Sequence, residues 1–264
     1  MRVLVTGASS GIGEAFARRH ARAGDEVVLT GRSQEELARI TGELTAAGLA
    51  ARYVVADLSH AEGVDLLVRE CGETDILVAN AGITASGAVG SGDPAELDRL
   101  AYLMTAGVVR LCEALVPGMV SRGHGDVVVV SSIAAFTPMR KSAAYAAAKS
   151  FATAYARSLA LEVGPAGVRV TAVCPGYVRT DLHRRAGLEH LSRRVPGWMW
   201  LESEDIVTAA HVLGLLTALY SGMQFLFGPL TGALSDRFGR RPLSPISPGK
   251  TMKGACGGVA AAMQ

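Results

Sequence analysis

Aromatic residues are scarce in this 264-residue sequence, at 5%, and charge of one sign is not in excess, the formal net charge being +2. Without stacking platforms or a basic stripe, nothing points to nucleic-acid binding. Cysteine is also sparse. Cys71, Cys112, Cys174 and Cys256 lie far apart and include no Cys-x-x-Cys pair. This pattern fits reduced thiols in a cytosolic protein and argues against a disulfide framework or a zinc site. His183 and His190 have no partner at metal-ligand spacing, so no metal is assigned. The first glycine turn is reached at Gly7, which leaves no room for a signal peptide. What is abundant is apolar: 49% of residues, against 19% charged, the composition of a globular protein with a substantial core.

The first 210 residues alternate short β-branched runs with longer helical stretches. Strands are predicted over 3–6, 26–30, 52–56, 75–79, 126–131 and 169–174, and helices over 13–23, 34–47, 60–71, 97–122 and 144–163. Continuous apolar runs such as 127–130 imply strands covered on both faces. The alternation predicts an α/β protein with a Rossmann-type, doubly wound parallel sheet and right-handed crossovers.

The turn after the first strand reads Thr6-Gly7-Ala8-Ser9-Ser10-Gly11-Ile12-Gly13 and runs into a helix. Gly7 permits the tight turn, Gly11 lets the backbone approach a pyrophosphate, and Gly13 allows close helix–strand packing. Free N–H groups at the helix start then face the anion. Glycine alone marks many ordinary turns, but this one sits where a dinucleotide site must be. After the second strand comes Arg32 and no acid, which favours NADP(H) by accommodating a 2′-phosphate; the alternative is a solvated surface arginine. Asp57-Leu58 follows the third strand, where a carboxylate can accept from an adenine amino group, and Asn80-Ala81-Gly82 follows the fourth with little bulk.

Tyr145 and Lys149 stand four residues apart on one predicted helix face, and Ser132, thirteen residues earlier, ends a buried strand at its carboxyl edge. The set suits carbonyl reduction, in which the developing alkoxide takes a proton. An ordinary phenol titrates near ~10. A nearby ammonium favours phenolate, and bringing the phenol to neutrality requires about 4 kcal/mol of differential interaction. A placed acid/base of this kind is worth ~10²–10⁴ in rate. Ser132 would hold the substrate oxygen, and Lys149 also the nicotinamide ribose.

From Met1 to about Ala210 the chain resembles the short-chain dehydrogenases/reductases, through Thr6-Gly7-x-x-x-Gly11-Ile12-Gly13, Asn80-Ala81-Gly82, Ser132, Tyr145-x-x-x-Lys149 and Pro175-Gly176. The resemblance implies NAD(P)(H)-linked interconversion of a small alcohol and carbonyl, with Pro175, Gly176, Val178 and Thr180 near the nicotinamide. It also implies a homodimer or tetramer formed through the two long helices. One departure is Met104, which stands where such enzymes commonly carry an asparagine supporting a water-linked proton relay. The stretch 177–200 is expected to form a lobe over the site. Its Arg179, Arg184, Arg185, Arg193 and Arg194, with Trp198 and Trp200, favour an acidic or amphipathic substrate, or else make a solvated loop with two packing tryptophans.

The second departure is the ending. The expected last strand is missing, and 212–234 is uncharged and long enough to span a bilayer. With the following Asp236-Arg237-Phe238-Gly239-Arg240-Arg241-Pro242 it resembles a helix and loop of major facilitator transporters, tetracycline efflux pumps in particular. One span makes no substrate path, and export of the following arginines opposes the positive-inside rule. The reading is a fusion in which 211–243 replaces the lost end of a cytoplasmic oxidoreductase, packing on it or lying at a membrane surface. Residues 244–264 are read as a disordered tail.

Overall fold

Each of the six apolar runs forms a parallel strand in the computed structural model: β1 (Arg2–Thr6), β2 (Glu26–Gly31), β3 (Ala51–Val55), β4 (Ile76–Ala79), β5 (Gly125–Val130) and β6 (Val168–Val173). They make one sheet in the order β3-β2-β1-β4-β5-β6, all pairings parallel. The structure describes residues 1–84, 88–137, 140–180 and 195–211. These belong to one compact unit, Met1–Leu213. The arginine-rich part of the lobe, 181–194, and the transporter-like stretch and tail, 212–264, lie outside the described residues.

The apolar runs are continuous because alternate residues serve two cores. Leu4, Val28, Leu77, Val127 and Val129 join one cluster with α3 (Ala61–Cys71), α5 (Ala106–Arg122) and α6 (Ala143–Val163). Val3, Val5, Val27, Leu29 and Val78 join another with α1 (Gly11–Arg22), α2 (Gln34–Ala46) and helix α7 over 203–211. A two-residue period on strands and helices on both faces give the expected doubly wound sheet. Among the described residues β6 is an edge, paired only with β5.

The sequence-based prediction of one helix over 97–122 needs correction. There are two, α4 (Pro94–Met104) and α5, meeting at Thr105, whose φ of −124° and ψ of −87° leave the helical region. The Thr105 hydroxyl donates to the Ala101 carbonyl at 2.6 Å, an alternative to continued helix. The start of α4 was also legible earlier than Leu97: Asp93 accepts from Ala95 N at 3.0 Å and Pro94 opens the first turn. Two further elements were not expected. β7 (Tyr177–Val178) pairs in parallel with β8 (Trp200–Leu201). Before α7, Glu202 N donates to Asp205 Oδ2 at 2.8 Å, a reciprocal cap that closes the helix start. Ile206, Val207 and Ala210 of α7 are 2–5% exposed in the second core.

Candidate active site

The glycine turn is held by contacts that side chains would block. Gly11 has φ +58°, and a Cβ there would come 2.9 Å from the Thr180 methyl. At Gly13 a Cβ would stand 2.2 Å from the Gly7 carbonyl oxygen, so α1 starts directly on the turn. Helix α1 has no side-chain cap at Ser10, unlike α2, where Ser33 accepts from Glu36 N, and α4. The first-turn N–H groups of α1 therefore lack a capping partner, and Ser9, Ser10, Gly11 and Ile12 line a cleft of about 620 Å³. This donor set suits a phosphate anion, and its volume falls in the usual range for ligand sites.

The same cleft is lined at its other strand ends. Gly31 ends β2 and Arg32 follows it, and Ala56, Asp57 and Leu58 follow β3. Asp57 Oδ1 accepts from Ser59 N at 3.0 Å and from Ser59 Oγ at 2.7 Å. Burial pushes this carboxyl up, but the Ser59 hydrogen bonds and the Arg32 charge outweigh it and hold it below the ordinary value. After β4 come Asn80, Ala81 and Gly82, and after β6 Pro175, Gly176, Tyr177, Val178 and Thr180, all lining the cleft. This is the carboxyl edge where open parallel sheets bind ligands.

Two residues expected to bind a cofactor do not line the cleft. Thr6 is 1% exposed; its hydroxyl donates to the Val78 carbonyl at 3.2 Å and accepts from Asn80 N and Ala81 N. Gly13 lies behind the turn, against Gly7 and Asn80. Both shape the site from beneath: Thr6 ties the β4 loop to β1, and Asn80 Nδ2 donates to the Thr6 and Gly7 carbonyls at 2.9 and 3.2 Å.

Ser132, Tyr145 and Lys149 come together at one end of the cleft. Ser132 stands beside the Tyr145 phenol, and its Oγ accepts from Ala134 N at 3.2 Å. Lys149 is 6% exposed, its Nζ donates to the Val130 carbonyl at 2.8 Å, and it lies 5.8 Å from the Tyr145 ring centroid. Burial pushes the lysine down to about 8. The expectation that Lys149 lowers the phenol is corrected: burial raises the Tyr145 phenol above its ordinary value, and the Ser132 hydrogen bond opposes this only in part. The ammonium sits over the ring, with one proton on the Val130 carbonyl.

Sequence reasoning passed over Ser131 as a positioning residue. Its hydroxyl bonds the Lys149 carbonyl at 2.9 Å and Thr153 Oγ1 at 2.7 Å, fastening β5 to α6. The signal was the serine doublet itself, since strand alternation sends one serine to the helix and the other to the cleft. Met104, 1% exposed, packs with Leu100 and Ala148 against Tyr145, and places its sulfur 3.6 Å from where a Gly82 Cβ would stand.

The chain matches the short chain dehydrogenase family over residues 1–190. It is 34% identical over 184 residues to an uncharacterized oxidoreductase of Staphylococcus saprophyticus, covering 68% of this chain and 79% of that one. It is 35% identical over 186 residues to the human mitochondrial dehydrogenase/reductase SDR family member 2, covering 69% of this chain and 66% of that one. Among solved structures, a short-chain dehydrogenase from Sphingobium yanoikuyae in complex with NADPH superposes with a TM-score of 0.74 at 32% identity, covering 92% of this chain and 97% of that one. With its sheet order, glycine turn and Ser–Tyr–Lys cluster on that frame, the chain belongs to the short-chain dehydrogenase family of oxidoreductases.

Proposed function

We propose that the protein is an NADP(H)-dependent oxidoreductase that interconverts an alcohol and a carbonyl, with Tyr145 as general acid/base. The observation that carries this is the joining, in one cleft, of an uncapped helix start at Ser10 with Ser132, Tyr145 and Lys149. The pyrophosphate is held by the first-turn N–H groups of α1, the 2′-phosphate by Arg32, the adenine by Asp57, and the nicotinamide by the 175–180 loop. When bound, the cofactor supplies or accepts the hydride. Ser132 donates to the substrate oxygen and orients it toward Tyr145. In the reducing direction the Tyr145 hydroxyl gives its proton to that oxygen. A phenol held neutral by burial is the right form for this step, and Lys149 supplies positive charge under the ring as the phenolate develops. Gly82 leaves room beside Lys149, whose Nζ is 3.7 Å from where a Cβ would stand.

Fluorescence titration with NADPH and NADH tests the cofactor reading: NADPH binds more tightly, and Arg32→Ala erases the difference. Equal affinities in the parent protein sink the role of Arg32. Tyr145→Phe is expected to cut turnover by at least ~10² while leaving NADPH affinity nearly intact. Self-association is assigned to α5 and α6, where Val120, Phe151 and Leu161 are 37%, 43% and 63% exposed. Sedimentation of Phe151→Glu as a smaller species than the parent is the expected result. The protein is placed in the cytoplasm, with membrane contact confined to 212–234; retention of the full chain in carbonate-washed membranes would contradict a peripheral position.

A further inference from the structure

The wall beside Tyr145 is apolar. Ile83 and Leu103 line the cleft and pack with Tyr145 against Leu100, Met104 and Ala148. On the strand side, Ile133 follows Ser132, lines the cleft and is 54% exposed. The chain then makes a 3-10 turn over Ile133–Ala135 that ends at Phe136, 64% exposed. Side chains three apart on such a turn eclipse one another, so Ile133 and Phe136 continue one apolar face outward from the reacting groups. A pair of exposed large apolar side chains leading out of a cleft marks a surface that something apolar covers.

Among the described residues lining the cleft, the charged side chains are Arg32, Asp57 and Lys149. The first two flank the opposite end, and Lys149 is buried on the Val130 carbonyl. Arg179 turns away: it stacks over Trp200 at 5.7 Å and pairs with Glu202 at 3.1 Å. Exposed Arg140 and Lys141 stand outside the wall, between Thr137 and Ser142 in the chain, and desolvating a carboxylate against Ile83 and Leu103 themselves is costly.

We propose that the substrate is an uncharged carbonyl compound with a hydrocarbon or aromatic body, seated against Ile83 and Leu103 and extending along Ile133 toward Phe136. The inference rests on the carbonyl chemistry proposed above.

The test compares benzyl methyl ketone, phenylpyruvate and acetone, which separate the carboxylate from the apolar body. Binding of each to the NADPH complex of the full chain is measured alongside NADPH consumption. Benzyl methyl ketone is expected to bind at least about tenfold more tightly than either of the others, the range one or two buried apolar groups supply. Ile133→Ser is expected to raise its KM about tenfold with kcat little changed, since the contact is made equally in ground and transition states, while NADPH affinity reports an intact fold. Phenylpyruvate or acetone binding as tightly as benzyl methyl ketone overturns the proposal, as does an unchanged KM in Ile133→Ser. If the binding order holds but nothing is reduced, the catalytic reading fails and the substrate class stands. If phenylpyruvate is both preferred and reduced, the substrate class fails and the catalytic reading stands.

Discussion

Lys149 shows at the scale of one residue how burial sets a charge. Its ammonium donates to the Val130 carbonyl, and burial depresses it from 10.5 to about 8. The unfolded chain therefore still binds the proton between about pH 8 and 10.5 while the folded chain has released it. Unfolded protein holding more protons means that stability rises with pH in that window. Below about pH 8 the full cost of burying the charge is present, up to about 3 kcal/mol. The expected outcome is that chemical denaturation shows the parent gaining stability relative to Lys149→Met from pH 8 upward; a flat difference across the window contradicts the depressed lysine. Gly13 is the opposite case, a residue whose role is the absence of a side chain. With a Cβ 2.2 Å from the Gly7 oxygen, Gly13→Ala forces α1 off the turn. Overpacking of this kind costs roughly 1–3 kcal/mol, and NADPH affinity should fall with the displaced N–H groups, measurable by urea midpoint and fluorescence titration.

At the scale of elements, the site depends on how α6 is fastened to the sheet. Tyr145 and Lys149 share its N-terminal turns, and Ser131 ties those turns to the end of β5 through Lys149 and Thr153. Ser131→Ala leaves the Thr153 hydroxyl its own helical carbonyl at 3.0 Å but removes both links to the strand. A loss of about 1–3 kcal/mol is expected, with kcat falling more than NADPH affinity because the acid/base moves while the glycine turn does not. Unchanged kcat in a folded Ser131→Ala protein would show that packing and the Lys149–Val130 hydrogen bond position α6 without Ser131. The strand assignments were legible in the sequence because parallel strands are apolar throughout; each observed strand lies within about a residue of its predicted bounds. The break at Thr105 was not legible. A mean apolar period runs through 97–122 unbroken, and the fault comes from one hydroxyl and from Gly107, whose Cβ would stand 3.3 Å from the Leu58 carbonyl. Nor was the β7–β8 pair, because two-residue strands carry no period to read. Yet that pair brings Tyr177 within 5.5 Å of Trp200 and closes the two ends of the lobe on each other.

For the whole molecule, the decisive feature is that two cores share one sheet. α7 completes the second core through Ile206, Val207 and Ala210. A chain ending after His211 retains every described residue that lines the cleft and both clusters, and is expected to bind NADPH with the parent's affinity. One ending at Glu202 strips the cover from that core, uncovering apolar surface, and should bind a hydrophobic dye and lose cooperative unfolding. Intact binding in the shorter chain would mean that α7 is dispensable.

The sequence by itself determined the α/β alternation, the family and most of the residues that meet in the cleft. Those properties are written locally, in apolar periods, glycine turns and the spacing of Tyr145 and Lys149, where chain neighbours suffice. Only the tertiary structure decided that Thr6 and Gly13 stand behind the site, that Lys149 faces Val130, and that an apolar path leads outward past Ile133. Each of these turns on which distant groups share a low-dielectric interior, and burial of that kind follows from packing across the sheet and has no signature along the chain.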